Sequence, residues 1–121
     1  MSERLTVSQM LLLGGYAAGM AGGQILFKAA ALRVGAGPLA ERALALAQNG
    51  FFLAALILYF ALSVLWVWVL SFTPLSRAYP FVALAFALTP VIGGLVFGEP
   101  LSARLLLGIG VIFAGLLLVA G

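Results

Sequence analysis

Long apolar runs separated by short polar links organise this chain along its whole length. A transmembrane helix needs about 20 predominantly apolar residues, and four runs approach or exceed that length. The runs cover about residues 6–32, 50–71, 79–97 and 103–120. The pattern therefore predicts an all-α integral membrane protein, with a four-transmembrane-helix bundle as the single domain over residues 1–121.

The links contain turn-forming residues, and only one of them is long. That link, RVGAGPLAERALALAQN at residues 33–49, has a Gly/Pro break followed by a weakly amphipathic stretch at 38–48. We expect this stretch to form a short interfacial helix that lies on the bilayer surface. The link GEPLSAR at 98–104 predicts that one helix ends at Gly98 and that Ser102 caps the next.

Composition identifies lipid as the solvent of this protein. The chain is 65% hydrophobic and 7% charged, with a mean hydropathy of +1.28, whereas soluble domains are about 25% charged. The sequence has no cysteine and no histidine, which excludes disulfides, Cys/His metal sites and thiol or imidazole catalysis. Its acids, Glu3, Glu41 and Glu99, lie near links or run ends, and no base is placed to activate a serine or threonine. We therefore expect no enzyme activity, no cofactor and no metal.

The charges flank the apolar runs. The net charge of +3 forms no basic face for a phosphate backbone, so no nucleic-acid partner is expected. Arg33, Arg42 and Arg104, together with Lys28 if it snorkels, belong to the side of the first and third links, whereas Arg4 and Arg77 belong to the opposite side. The positive-inside rule then places the first and third links in the cytoplasm. Because the margin is only one or two charges, dual topology stays open.

The stretch GGQILFKAA at residues 22–30 puts two polar side chains inside the first run. Gln24 and Lys28 lie one turn apart on the same side of a helix, and a lysine at mid-bilayer costs at least about 2.5–3.5 kcal/mol. Lys28 either snorkels to the interface or faces a cavity with Gln24 and contacts a polar or anionic headgroup. Gln24 could instead form a hydrogen bond between helices. The opposite side carries small residues that would let another helix approach closely, namely Gly15, Gly19 and Gly22.

The third and fourth runs contain helix-weakening and small residues. Pro90 removes a backbone donor, and Gly93 and Gly94 follow within a turn, so the third helix is either a hinge or simply bent. Gly108 and Gly115 are seven residues apart and predict a close helix–helix seam, either within the chain or between two chains. Because four spans offer little room to enclose a substrate path, we expect the bundle to dimerise.

Four short spans, an Ala-Tyr pair opening the third and glycines seven apart in the fourth resemble the drug/metabolite transporter (EamA) superfamily. Its small multidrug resistance branch shares several positions with this chain, namely Gly14–Gly15, Lys28, Ala78–Tyr79, Gly108 and Gly115. That branch depends on a glutamate that would fall at about Met20 and has a tryptophan that would fall at about Val82. Both residues are absent here, which argues against a proton-coupled cation exporter.

The sequence is more similar to the small flippase subunits that move undecaprenyl phosphate–aminoarabinose across the bacterial inner membrane. The resemblance covers all four runs but not residues 33–49. Its motifs are a GQ pair followed by a lysine, a tryptophan, a proline, an AYP stretch, a phenylalanine and a closing EP. They correspond to Gly23-Gln24, Lys28, Trp66, Pro74, Ala78-Tyr79-Pro80, Phe86 and Glu99-Pro100.

This resemblance implies a multi-pass protein of the bacterial inner membrane and a lipid-linked substrate with an isoprenoid tail, a phosphate and a sugar. It implies that Lys28 contacts the phosphate, that Gln24 binds the headgroup and that Tyr79 and Arg77 guard one mouth. It also implies a homodimer, or a heterodimer with a similar small subunit. Two other functions stay open: a small multidrug or metabolite exporter, and a non-transporting accessory subunit of a membrane glycosyltransferase. The hinge candidates are Pro80, Pro90, Gly93 and Gly94.

Overall fold

A computed structural model describes residues 6–120 of the chain, and this part is helical with short connections. Arg4, which enters the charge count above, lies outside the described residues. A 3₁₀ turn over Tyr79–Phe81 joins the fourth and fifth helices. The helices are α1 (Val7–Val34), α2 (Leu39–Ala47), α3 (Gly50–Leu70), α4 (Leu75–Ala78), α5 (Val82–Phe97) and α6 (Ala103–Ala120).

Within residues 6–120, three helical segments are long and apolar enough to cross a membrane. They are Val7–Val34, Gly50–Leu70 and Leu75–Phe97, the last of which combines α4, the 3₁₀ turn and α5. The third segment thus begins four residues before the predicted start at residue 79. The predicted fourth span corresponds to α6, which is apolar but shorter over Ala103–Val119.

Side-chain caps fix where several helices begin. At the start of α1 the Gln9 backbone N–H donates to Thr6 Oγ1 at 3.1 Å, and the Thr6 N–H donates to Gln9 Oε1 at 2.8 Å. These reciprocal bonds form a capping box, which satisfies N–H groups that the first turn leaves unpaired. Ser102 Oγ accepts from the Leu105 N–H at 3.1 Å, which confirms the predicted cap. The predicted stop at Gly98 is also confirmed, with φ of 68° in the left-handed region that favours glycine.

Helix α1 lies at the centre of the packing. Helix α3 packs on one side of it and α5 on the other, and α6 packs against α5. The main buried cluster lies where the N-terminal half of α1 meets the end of α3, the 3₁₀ turn and α6. Its members are Leu13, Val69, Ala78, Phe81 and Leu116. The molecule is therefore packed most tightly toward one end of the bundle.

Where α1 packs on α3, two large side chains of α3 lie directly against glycines of α1. A Cβ atom at Gly19 would lie 2.9 Å from Leu62 Cδ2, and one at Gly23 would lie 2.6 Å from the Tyr59 ring. Gly15 and Gly22 have open space around the same position, among the residues that the structure describes. The close approach thus occurs at Gly19 and Gly23, because these two glycines face Leu62 and Tyr59.

Candidate functional site

Gln24 links the first and third helices and also faces open space. Its Nε2 donates to Tyr59 Oη at 2.8 Å, and the Tyr59 hydroxyl donates to the backbone carbonyl of Met20 at 2.9 Å. The Phe27 ring stacks on Tyr59 with centroids 5.3 Å apart. Because these contacts hold the amide in place, Gln24 presents its polar group at a defined position on α1.

A groove of about 320 Å³ lies between α1 and α5 beside this amide. Helix α1 contributes Met20 and Gln24, and α5 contributes Ala85, Phe86, Thr89 and Pro90. Most of this lining is apolar, with one amide and one hydroxyl. Such a groove can accept a small polar group by hydrogen bonding while its walls remain compatible with hydrocarbon.

Lys28 lies one turn farther along α1 and pairs with a carboxylate from the link after α5. Its Nζ is 3.5 Å from Glu99 Oε2, and the two side chains are 44% and 52% exposed. Behind the pair, Gly93 is buried, and a Cβ atom there would lie 4.0 Å from Glu99 Oε1. Gln24 and Lys28 therefore lie along one stripe of α1, and Glu99 from the link after α5 lies beside Lys28.

Tyr79 and Arg77 lie toward the opposite end of the bundle. The Tyr79 ring meets Trp66 edge-on at 6.4 Å, and Trp66 stacks on Tyr16 at 4.8 Å. Tyr16 precedes Lys28 by three helical turns, which is about 18 Å along the axis. Arg77 Nη1 donates to the Val119 carbonyl at 2.7 Å, which ties this end to the last turn of α6. The four predicted binding residues thus form two separate pairs.

The predicted hinge residues differ in burial, since Gly93 and Gly94 are buried whereas Pro80 and Pro90 are partly exposed. Helix α5 continues through Pro90 over Val82–Phe97, and Pro80 lies in the 3₁₀ turn. Gly94 is buried, and a Cβ atom there would lie 2.6 Å from Leu101 Cδ2. Because Leu101 occupies this space, Gly94 lets the link after α5 fold back onto the helix.

A second groove, of about 450 Å³, lies between α5 and α6 and shares Phe86 and Pro90 with the first. Arg104 and Gly108 from α6 contribute to its lining. Gly115 has open space where a Cβ atom would lie, among the described residues. Most of α6 is exposed, so its outer surface is available to lipid or to another chain.

Curated relatives match a large part of the chain. The probable 4-amino-4-deoxy-L-arabinose-phosphoundecaprenol flippase subunit ArnE of Hamiltonella defensa subsp. Acyrthosiphon pisum is 39% identical over 54 residues. That match spans 45% of this chain and about half (49%) of the relative. The identically named subunit of Serratia proteamaculans is 37% identical over 99 residues, which cover 82% of this chain and 84% of the relative. The chain belongs to the ArnE family.

ArnE membership rests on these relatives, since no family model and no solved structure matches the chain. The names of these relatives describe flippase subunits, which are transporters rather than enzymes. Together with the three segments of residues 6–120 that are long and apolar enough to cross a bilayer, the ArnE relationship indicates a multi-pass membrane protein.

Two residues of this candidate site were not among the sequence-predicted binding residues. Tyr59 anchors Gln24, and Glu99 pairs with Lys28. A signal existed for Tyr59, because Tyr59 and Trp66 are seven residues apart and therefore share the helix face that packs on α1. Glu99 appeared in the sequence only as part of a closing Glu-Pro motif, and nothing local indicated its partner.

Proposed function

We propose that this chain is a subunit of a flippase that moves a polyprenyl-phosphate-linked sugar across the bacterial inner membrane. The observation that carries the proposal is the stripe on α1, where the Gln24 amide borders a groove and the Lys28 ammonium follows one turn later. The relatives' names provide the substrate class, a phosphoundecaprenol that carries an amino sugar. A cation and an amide suit the phosphate and the hydroxyl groups of such a head.

In this proposal α6 is the fourth span of a single membrane domain. Its 18 residues are about 27 Å long at 1.5 Å per residue, against about 30 Å of hydrocarbon. A bilayer adapts to a span that is slightly short by local thinning. The interfacial position of α2 belongs to the same proposal, because Leu39–Ala47 has no buried residue and carries Glu41 and Arg42.

Lys28 contacts the phosphate as a compact point charge, and Gln24 hydrogen-bonds the sugar. The isoprenoid tail stays in lipid while the head passes along the groove between α1 and α5. Tyr79 and Arg77 act at the other mouth, about three turns away along α1. Pro80, Pro90, Gly93 and Gly94 are the positions at which the third span adjusts as the head moves.

A second subunit completes the pathway, because the grooves that α5 forms with α1 and with α6 are not enclosed by the described residues. The partner is another copy of this chain or a similar small subunit, and it packs on α6. The exposed glycines Gly108 and Gly115 permit close approach of a helix there. Support comes from the word subunit in the relatives' names and from the large exposed surface of α6.

The test is a flipping assay in proteoliposomes with a labelled polyprenyl-phosphate amino sugar. We expect Lys28→Met to abolish flipping while the folded protein is retained, because methionine has a similar reach but cannot bind phosphate. Flipping by the unmodified chain should be insensitive to a collapsed proton gradient. The control is Arg42→Met, which removes a cation from α2, outside the stripe. Unchanged flipping by the Lys28 variant would refute the phosphate contact.

A second candidate function is export of small organic cations. The cluster of Tyr16, Trp66 and Tyr79 favours it, because aromatic faces attract cations. Expression of the intact chain in a sensitive strain distinguishes the two functions, and resistance to a toxic quaternary amine would favour export. An accessory subunit of a membrane glycosyltransferase would give neither flipping nor resistance.

A further inference from the structure

We propose that Glu99 determines the specificity of this site by binding the amino group of the sugar while Lys28 binds the phosphate. This inference rests on the proposed flippase function and goes beyond it by assigning a role to a carboxylate. Lys28 Nζ and Glu99 Oε2 lie 3.5 Å apart, and in this proposal each of the two groups exchanges the other for the oppositely charged group of the lipid head.

The pair is built to exchange partners. Both side chains are about half exposed, and ion pairs of this kind contribute little to stability. Both are also long and flexible, so they can separate without moving the backbone. Glu99 follows Gly98 in a left-handed turn, which ends α5 and directs the link back toward α1. The carboxylate therefore reaches Lys28 from a turn rather than from a packed helix face.

The lipid headgroup in the relatives' names carries one negative and one positive charge, which can pair with Lys28 and Glu99 respectively. A 4-amino-4-deoxy-arabinose on phosphoundecaprenol has an anionic phosphate linkage and, across the sugar ring, an ammonium group. When such a zwitterionic head binds, the Lys28–Glu99 ion pair is replaced by two ion pairs between the protein and the lipid. The net charge at the membrane does not change. Charge-assisted hydrogen bonds of this kind are roughly twice as strong as neutral ones.

The same carboxylate disfavours lipids that lack the amine. A polyprenyl phosphate with a neutral sugar would separate Lys28 from Glu99 and leave the carboxylate without a cation near a second anion. Like charges at close range destabilise binding, so discrimination comes from repulsion as well as attraction. Gln24, one turn away on α1, contacts neutral hydroxyl groups and does not discriminate.

A purely structural role for the pair gives a different outcome. If Glu99 only fastens the link after α5 to α1, its loss should weaken binding of every lipid to the same extent. If Glu99 binds the amine, its loss should change only the order of the lipids' binding affinities. The two residues should then behave differently, since phosphate is common to all the ligands and the amine is not.

The experiment measures binding of three lipids to the full-length chain in nanodiscs. The lipids share one polyprenyl phosphate and carry 4-amino-4-deoxy-arabinose, its N-acetylated form or plain arabinose. We expect the unmodified chain to prefer the amino lipid by on the order of tenfold, the effect of one charge-assisted bond. Glu99→Gln should remove this preference without weakening the other two lipids, and Lys28→Gln should weaken all three. Glu41→Gln, which neutralises an acid on α2, is the control and should preserve the preference.

Three outcomes overturn the inference. If Glu99→Gln weakened the binding of all three lipids equally, the pair would serve only to hold the link after α5 against α1. An unmodified chain that binds or flips the three lipids equally would remove the specificity role but leave the flippase function standing. Binding of none of them by the unmodified chain, both alone and together with a similar small subunit, would overturn the proposed function itself, and with it the inference.

Discussion

The two ends of the bundle hold their polar side chains differently. At the closed end, which contains Gln9 and Thr73, neutral hydrogen bonds between elements fix the polar groups. At the charged end, which contains Lys28 and Glu99, charged side chains are about half exposed. At the closed end Gln9 Nε2 donates to Thr73 Oγ1 at 3.1 Å and to the Phe72 carbonyl at 3.2 Å. At the charged end Lys28 and Glu99 meet at 3.5 Å and stay about half exposed. The comparison shows that Gln9 and Thr73 serve packing at one end, whereas the Lys28–Glu99 pair at the other end remains accessible.

Burial accounts for the difference. Thr73 at the closed end is 4% exposed, so its hydroxyl depends on a protein partner. The buried cluster that includes Leu13 and Val69 lies at the same end. At the charged end, α2 has no buried residue. Groups that water or lipid headgroups can reach lose little when their partner changes, which suits a binding site.

The largest expected effect comes from a cavity at the closed end. Leu13→Ala should lower the free energy of unfolding by about 2–5 kcal/mol, because this fully buried side chain leaves a void. The measurement is unfolding in mixed micelles titrated with SDS. The matched change at the charged end, Leu44→Ala, concerns a side chain that is 61% exposed and should cost less than about 0.5 kcal/mol. Equal losses would contradict the difference between the ends.

A smaller effect is expected from the hydrogen bonds of the closed end. Gln9→Leu leaves the buried Thr73 hydroxyl without the Gln9 amide and opens the capping box of α1. The expected loss is about 1–3 kcal/mol in the same titration. Gln48→Leu replaces an exposed amide at the other end and should leave stability within about 0.5 kcal/mol. Similar losses from the two glutamines would mean that Gln9 fixes nothing.

The smallest effect on stability is expected from the ion pair itself. Glu99→Gln should change the free energy of unfolding by less than about 1 kcal/mol, because the pair is exposed and screened by salt. Added salt should reduce even this difference. A loss as large as that of the Gln9 variant would show that the charged end is as rigid as the closed end.

Much of the helical layout could be predicted from the sequence. Residues 38–48 were expected to form a short helix and do so over Leu39–Ala47. The stop at Gly98 and the cap at Ser102 were also predicted, since each depends on one residue and its immediate neighbours. The third helical segment begins at Leu75, four residues before the predicted start, because the proline-containing link before it folds as α4 and a 3₁₀ turn.

The site could be predicted only in part. The common stripe of Gln24 and Lys28 follows from helical geometry, so it was accessible from spacing alone. The pairings themselves were not accessible: spacing places Tyr59 on the same helix face as Trp66 but does not connect it to Gln24, and no local pattern connects Glu99 to Lys28. The separation of Tyr79 and Arg77 from Lys28 likewise depends on which ends of the helices meet.

The sequence by itself determined that this is a set of apolar helices with a polar stripe on the first. In lipid a backbone must satisfy its own hydrogen bonds within each segment, so run length decides helix formation locally. Only the tertiary structure decided that Lys28 faces Glu99 and that Gln24 faces Tyr59 beside a groove. These pairings depend on how each helix is rotated about its axis, and that rotation is set by side-chain packing along whole seams, such as Leu62 on Gly19.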